Sequence, residues 1–351
     1  MTRLILHIGD HKTGTSAIQR ALAGGAAGPN VLYPETGRVM GSGHQNLAWE
    51  VGEDPRFNPE KGDWSVLAAE LACAQQETTI ISAEAFEFKD PKASIDLIRV
   101  RTSGVVTDLG AIVYIRPHAA RILSSFGERV KRGIGPFDRT RFLDWALKGD
   151  RFLYLNRLEK WRAALAPGRL MVRVFTRDHL TGGDAVNDFC MAALGLGPAT
   201  TQETEANVSP TAAALRLMQI QGAAFEAMRR PDLARRFARQ SRRCAEHAYP
   251  NTAKPSWRRA EAERIARATA PDALALDRLL NRTGDFGPVF SDALHKAGEA
   301  SIPDIGAEPF SPETEAALIT AAQATARALV SATGGSALQK QTNTDRKTVT
   351  S

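Results

Sequence analysis

The first seventeen residues, MTRLILHIGDHKTGTSA, constrain the fold more than any other stretch. The apolar run from Leu4 to Ile8 reads as a buried strand that stops at Gly9. A polar loop follows, Asp10-His11-Lys12-Thr13-Gly14-Thr15-Ser16, and then a helix-compatible stretch from Ala17 to Ala23. Strand, glycine-bearing loop and helix N-terminus together form an anion cradle. Backbone N–H groups converge there, the helix dipole favours negative charge, and Lys12 adds a full positive one. Gly9 and Gly14 match the two glycines of the phosphate loop G-x-x-x-x-G-K-[ST], but Thr15 holds the lysine position. The lysine sits three residues earlier, inside the loop. There it would lie over a single 5′-phosphate end rather than extend along a triphosphate.

A second informative segment is AIVYIRPHAARILSSFGERVKRG, Ala111 to Gly133. Ala111 to Ile115 reads as a buried parallel strand. Arg116 stands at its C-terminal end, where doubly wound sheets place their ligands. Pro117 suits a first helical turn, and Ser124 falls about two turns into that helix. A guanidinium offers fork-shaped, charge-assisted bonds to a phosphate, and a hydroxyl adds one more. Plainer roles exist for each residue. Arg116 could pair with an acid, Ser124 could be a small packing residue, and Thr13 or Thr15 could cap a helix.

Taken together, the two segments resemble the sulfotransferase family. Lys12-Thr13-Gly14-Thr15-Ser16 fits its Lys-[Ser/Thr]-Gly-Thr-[Thr/Ser] loop, which binds the 5′-phosphosulfate of PAPS (3′-phosphoadenosine 5′-phosphosulfate). Arg116 and Ser124 have the spacing of the family's 3′-phosphate pair. The resemblance covers roughly the first 190 residues and is closest in character to the bacterial sulfotransferase-like branch. It implies PAPS as co-substrate, bound by His11, Lys12, Thr13, Gly14, Thr15, Ser16, Arg116 and Ser124. Lys12 would neutralise charge growing on the bridging oxygen. No metal is required in this family. The implied acceptor is a hydroxyl or amine on a carbohydrate, glycolipid or small molecule.

Sulfotransferases use a histidine or glutamate to take the acceptor proton, and two residues here qualify. His44 lies in the polar loop Gly41-Ser42-Gly43-His44-Gln45-Asn46, and Glu84 follows the strand predicted over 78–82. Either could instead be structural, His44 as an ordinary loop histidine and Glu84 as a cap partner after Ser82. His7 reads as a hydrogen-bonded core histidine and His118 as an exposed first-turn residue. The family's late Arg-Lys-Gly segment has only a poor counterpart, Asn281-Arg282-Thr283-Gly284. Two other readings stand beside the resemblance. One is a phosphate-loop kinase or NTPase, disfavoured by Thr15 and by the lack of a strand-end aspartate. The other is a non-catalytic sulfotransferase-like binding protein.

Strand and helix signals alternate through the first 190 residues, which predicts an α/β fold with a three-layer parallel sheet. Strands are expected over 4–8, 78–82, 111–115 and 169–175. Helices are expected over 64–76, 91–100, 117–131, 139–148, 152–165 and 185–194. The α/β core should span 1–195, followed by a helix-rich region over 196–333. Ser209-Pro210 and Ser311-Pro312 supply helix starts there, the second opening a helix to Ala332. Asn207-Val208-Ser209 resembles the opening of the late helical segment in related bacterial proteins. Residues 334–351 lack apolar periodicity and read as a disordered tail.

The net charge is +6, with arginines concentrated at 229, 230, 235, 236, 239, 242 and 243. This 228–247 segment reads as a solvated helix face or as a contact for an anionic acceptor or membrane lipid. Scarce aromatics argue against nucleic acid. Three widely spaced cysteines give no disulfide framework, so a reducing, cytoplasmic setting is expected. No apolar stretch approaches a membrane span.

Overall fold

The computed structural model describes residues 2–39, 41–197, 209–250, 253–281, 287–302 and 309–347, with side chains through Thr333. Asn207, Val208 and the 282–284 part of the Asn281–Gly284 segment lie outside the described residues. In chain order the first elements are β1 (Thr2–His7), α1 (Thr15–Ala23), β2 (Val31–Leu32), α2 (Gln45–Glu50) and α3 (Trp64–Cys73). Next come β3 (Thr78–Ser82), α4 (Pro91–Arg101), β4 (Val106–Ile115), α5 (His118–Lys131) and α6 (Arg139–Ala146). The α/β alternation ends with α7 (Leu155–Leu165), β5 (Leu170–Val174) and α8 (Ala185–Leu194). Then follow α9 (Ala212–Ala227), α10 (Pro231–Ala248), α11 (Arg259–Asn281), α12 (Val289–Glu299) and α13 (Pro312–Lys347).

The five strands make one all-parallel sheet in the order β2-β3-β1-β4-β5. The four strands expected from sequence are present, and the two-residue edge strand β2 joins them. Both faces of the sheet are buried, which is why its strands read as near-continuous apolar runs rather than alternating ones. On one face Ile5, Ile80, Ile112 and Tyr114 pack with Ile18 and Leu22 of α1 and with Phe189 of α8. On the alternate positions Leu4, Leu6, Ile81 and Val113 are fully buried as well. Asp63, Asp90, Asp138 and Asp184 cap α3, α4, α6 and α8 through their carboxylates.

The chain divides into two compact units, each assembled from three stretches. The first is Met1–His118, Leu153–Ala206 and Thr269–Ala293, and it contains the whole sheet. The second is Ala119–Phe152, Asn207–Ala268 and Leu294–Ser351, in which α9 packs against α10 and α13. Two helix boundaries differ from expectation. Helix α9 starts at Ala212, with the Thr211 hydroxyl accepting from Ala214 N at 3.3 Å, rather than at Ser209-Pro210. Helix α13 continues past Ala332 to Lys347. Among the described residues, no helix is long and apolar enough to cross a membrane.

The turn Pro167-Gly168 brings α7 into β5 at the edge of the sheet, and it leaves no room for a side chain. A Cβ on Gly168 would lie 2.0 Å from the Leu109 carbonyl oxygen and 3.0 Å from that of Leu165. Both are backbone atoms held by their own elements. Gly168→Ala is therefore expected to lower the unfolding free energy by about 3 kcal/mol, the upper end for overpacking. Urea denaturation of the two proteins measures the difference.

Candidate functional site

The sheet's strand order reverses around β1, which β3 and β4 flank, so the loop after β1 sits at the topological switch point. Pairing between β1 and β4 continues beyond the strand: Tyr114 N donates to Gly9 O at 2.9 Å and Asp10 N to Tyr114 O at 3.0 Å. The chain then turns sharply. Gly9, Lys12 and Gly14 have φ of 97°, 69° and 77°. For Gly14 the glycine is obligatory on two counts, since a Cβ would also lie 2.9 Å from the Phe175 ring and 3.0 Å from Ala185 Cβ. Gly14 is the N-cap of α1 and brings no capping side chain, so the helix N-terminus presents backbone N–H groups only.

Asp10 is the organising residue of this loop, and the sequence reading gave it no role. Its carbonyl accepts from the Thr13 hydroxyl at 2.6 Å and from the Thr15 hydroxyl at 3.1 Å. Its fully buried carboxylate is held by both Nη atoms of Arg157, at 2.6 and 2.7 Å. Thr13 and Thr15 thus serve the loop through their side chains. Their hydroxyl protons are committed inside the loop, leaving only their backbone N–H groups for an anion. Ser16 is exposed on the first turn of α1.

His11 and Lys12 follow, both half-buried. Glu87, in the 3₁₀ turn Glu84–Phe88 after β3, accepts from His11 N at 2.9 Å and contacts His11 Nδ1 at 2.7 Å. The other ring nitrogen, Nε2, lies 3.5 Å from Glu84 Oε1. Burial opposes charge on this imidazole, but the Glu87 bond and the charges of Glu87, Glu84 and Asp10 outweigh it and raise the His11 pKa. The Glu84 carboxylate is partly open to solvent. His11, Lys12 and Glu84 thus lie beyond the C-terminal ends of two neighbouring strands, β1 and β3.

Arg116 arrives there from a third strand. Its Nη1 donates a long bond, 3.5 Å, to the Lys12 carbonyl, and its own carbonyl accepts from the Tyr154 hydroxyl at 2.6 Å. Among the described residues, no carboxylate pairs with its half-buried guanidinium, and burial lowers its pKa. The plainer role weighed for this arginine, an ion pair with an acid, is therefore not what the structure contains. Ser124 lies within α5 in the second unit, half-buried.

His44 is not available as a base, which corrects that expectation. It is fully buried, with Nε2 2.8 Å from the Pro34 carbonyl and Nδ1 accepting from Ser82 N at 3.1 Å. Those partners fix a neutral tautomer, and burial holds its pKa down at about 4. His7 is likewise buried, 2.8 Å from Ser82 Oγ, with its pKa lowered to about 3 by burial. His118 is buried rather than exposed: its Nε2 lies 2.8 Å from Asp272 Oδ2. Asp272 also accepts from the backbone N–H groups of Tyr154 and Leu155, each at 3.0 Å. In the same unit a separate cleft of about 450 Å³ is lined by Asp108, Gly110 and Ile112 of β4, Leu170 and Arg173 of β5 and Arg162 of α7. No known protein family, curated protein or solved structure matches the chain.

The two buried histidines make stability pH-dependent with a defined sign. Both titrate near 6.5 when unfolded and far lower when folded, so the unfolded chain binds more protons between those values. Their contribution is complete above pH 6.5 and is lost as pH falls, toward about 4 for His44 and about 3 for His7. His11 has the opposite sign: its contribution is present below 6.5 and is lost as pH rises through its raised pKa. Urea unfolding at pH 7 and at about pH 4.5 should show a smaller acid-induced loss in His44→Gln than in the wild type. The expected difference is about 3 kcal/mol.

Proposed function

We propose that the protein is a sulfotransferase that moves the sulfonate group of PAPS to a hydroxyl or amine acceptor. The reading is carried by Arg116. A half-buried guanidinium without a carboxylate partner, bonded to the carbonyl of the loop lysine, marks a place where an anion is expected. It stands beside a loop that presents helix N–H groups, positive-φ backbone and Lys12 at the switch point of a parallel sheet. The donor set fits a nucleotide with separate 5′ and 3′ anionic groups. Backbone N–H groups of Thr13 to Ser16 and the Lys12 ammonium would hold the 5′-phosphosulfate, and Arg116 the 3′-phosphate.

In such a reaction the acceptor oxygen or nitrogen forms a bond to sulfur as the bond from sulfur to the bridging oxygen breaks. The electron pair leaves with the bridging oxygen, where Lys12 offsets the developing negative charge. The acceptor proton must go to a nearby base. Glu84 is the candidate that remains after His44 is removed, and it is the partly exposed carboxylate beside His11. His11, fixed by Glu87, is suited to orient Glu84 and the acceptor.

The test is thermal shift with PAP (adenosine 3′,5′-bisphosphate) against ADP, on wild type and Arg116→Ala. Stabilisation by PAP but not by ADP, lost in the variant, is the expected outcome. At a hundred times its Kd, PAP should add about 2.7 kcal/mol to the unfolding free energy. Equal stabilisation of both proteins by ADP would remove the 3′-phosphate assignment and favour a phosphate-loop kinase or NTPase.

A further inference from the structure

The second unit gathers arginines in a way the nucleotide site does not use. Arg129 lies in the last turn of α5 and Arg132 just after it, Arg151 follows α6, and Arg235 is in the first turns of α10. Arg129 and Arg151 both stack on Trp145, with guanidinium carbons 4.6 and 4.2 Å from the ring centroid. Gly133, at φ 64°, lets the end of α5 approach α10 closely: a Cβ there would fall 2.2 Å from the Ala234 carbonyl oxygen. That contact sets Arg132 beside Arg235. Among the described residues, none of these four arginines forms an ion pair with a carboxylate. Arg129 bonds the Gly135 carbonyl, and its buried Nε has no partner.

Four like charges drawn from three segments repel one another unless an anion lies among them. Burial lowers the Arg129 pKa, and Arg151, Arg132 and Arg235 lower it further. From this cluster the charge extends along α10. Arg235, Arg236, Arg239 and Arg243 are all exposed, and from Arg235 to Arg243 the helix rises about 12 Å. The opposite face is already covered: Leu233, Ala234 and Ala245 are buried, and Phe237 stacks on Phe225 of α9 at 6.1 Å.

We propose that this cluster and the arginine row of α10 together bind an anionic polysaccharide, a sulfated or carboxylated glycan chain. The choice of partner follows from what the surface has and lacks. Every basic residue in the row is arginine, whose fork matches sulfate and carboxylate groups in two-point contacts. A membrane would need an apolar face to insert, and that face of α10 is spent on α9. Single-stranded nucleic acid would need aromatic platforms, and Trp145 is occupied by two arginines. A run of charge about 12 Å long suits a chain with repeated anionic groups better than a single small anion.

The proposal stands independently of the nucleotide reading. Its test measures binding of immobilised heparin, as a representative sulfated polysaccharide, across a salt series. Two triple variants accompany the wild type, one combining Arg235→Gln, Arg239→Gln and Arg243→Gln and the other Arg235→Lys, Arg239→Lys and Arg243→Lys. These side chains are exposed, and circular dichroism melting confirms folding. Heparin binding should weaken at least about ten-fold in the glutamine variant, with a shallower salt dependence of up to roughly one log–log unit per arginine removed. The lysine variant should fall in between, because charge remains while the fork geometry is lost. A single-stranded oligonucleotide and phosphatidylcholine–phosphatidylserine vesicles should bind the wild type more weakly than heparin does. Unchanged heparin binding in the glutamine variant, or tighter binding to oligonucleotide or vesicles, would overturn the proposal.

Discussion

The site in the first unit depends on how Asp10 is held. Its N–H extends the β1–β4 ladder, its carbonyl gathers the hydroxyls of Thr13 and Thr15, and its carboxylate is clamped by Arg157. A carboxylate in this loop would by itself repel the anion proposed to bind there. The two-point bond to a guanidinium neutralises it and turns it into a fixed post around which the chain reverses. Burying such a pair carries a desolvation cost that the attraction only partly recovers, so it is poor evidence for stability. Its value here is geometric. With Asp10 fixed, Lys12 and Gly14 are held in left-handed conformations and α1 opens with bare N–H groups. Thr13 and Thr15 serve the loop's shape through their side chains.

Most of the sheet was legible in the sequence because both of its faces are buried. Runs such as Leu4–Ile8, Thr78–Ser82 and Ala111–Ile115 carry no polar alternation that could be mistaken for a helix face. The edge strand Val31–Leu32 was not legible, since two residues in a polar segment carry no period. The sharp turn of the loop was legible from glycine spacing, since Gly9 and Gly14 both take positive φ. What sequence could not supply was side-chain destiny. His44 sits among glycines and polar residues that suggest an exposed loop, yet the Ser82 N–H, 38 residues away, donates to its Nδ1 and holds the ring in the core. His118 looked like a surface residue because its partner, Asp272, lies 154 positions downstream. Arg157 was hidden for the same reason: only the fold brings it to Asp10, across 147 positions. Each miss is a long-range polar pairing, for which local pattern holds no signal.

Pairing also distinguishes the arginines from one another, in both units. Within the first unit Arg157 is matched to Asp10 and Arg173 to Asp188. Within the second, Arg139 is matched to Glu261 and Arg216 to Glu315. In each of these the desolvation of a guanidinium is met by a carboxylate of the same chain, as a structural role requires. Arg116 and Arg129 break the pattern. Burial depresses both, each bonds a backbone carbonyl, and neither has a carboxylate partner among the described residues.

A backbone carbonyl supplies a dipole but no countercharge, so the positive charge of these two residues is only partly compensated. Folding alone gives no reason to keep such a group, because an apolar side chain of similar size would avoid the cost. An external anion does give a reason, and the surroundings indicate what kind. Beside Arg116 are a helix N-terminus and one lysine in a tight loop, which suits a compact phosphate-bearing ligand. Beside Arg129 are further exposed arginines continuing along α10, which suits an extended chain of anionic groups. The same physical deficit therefore underlies both proposed ligands, and the difference between them lies in whether the surrounding charge is enclosed by a loop or spread along a helix.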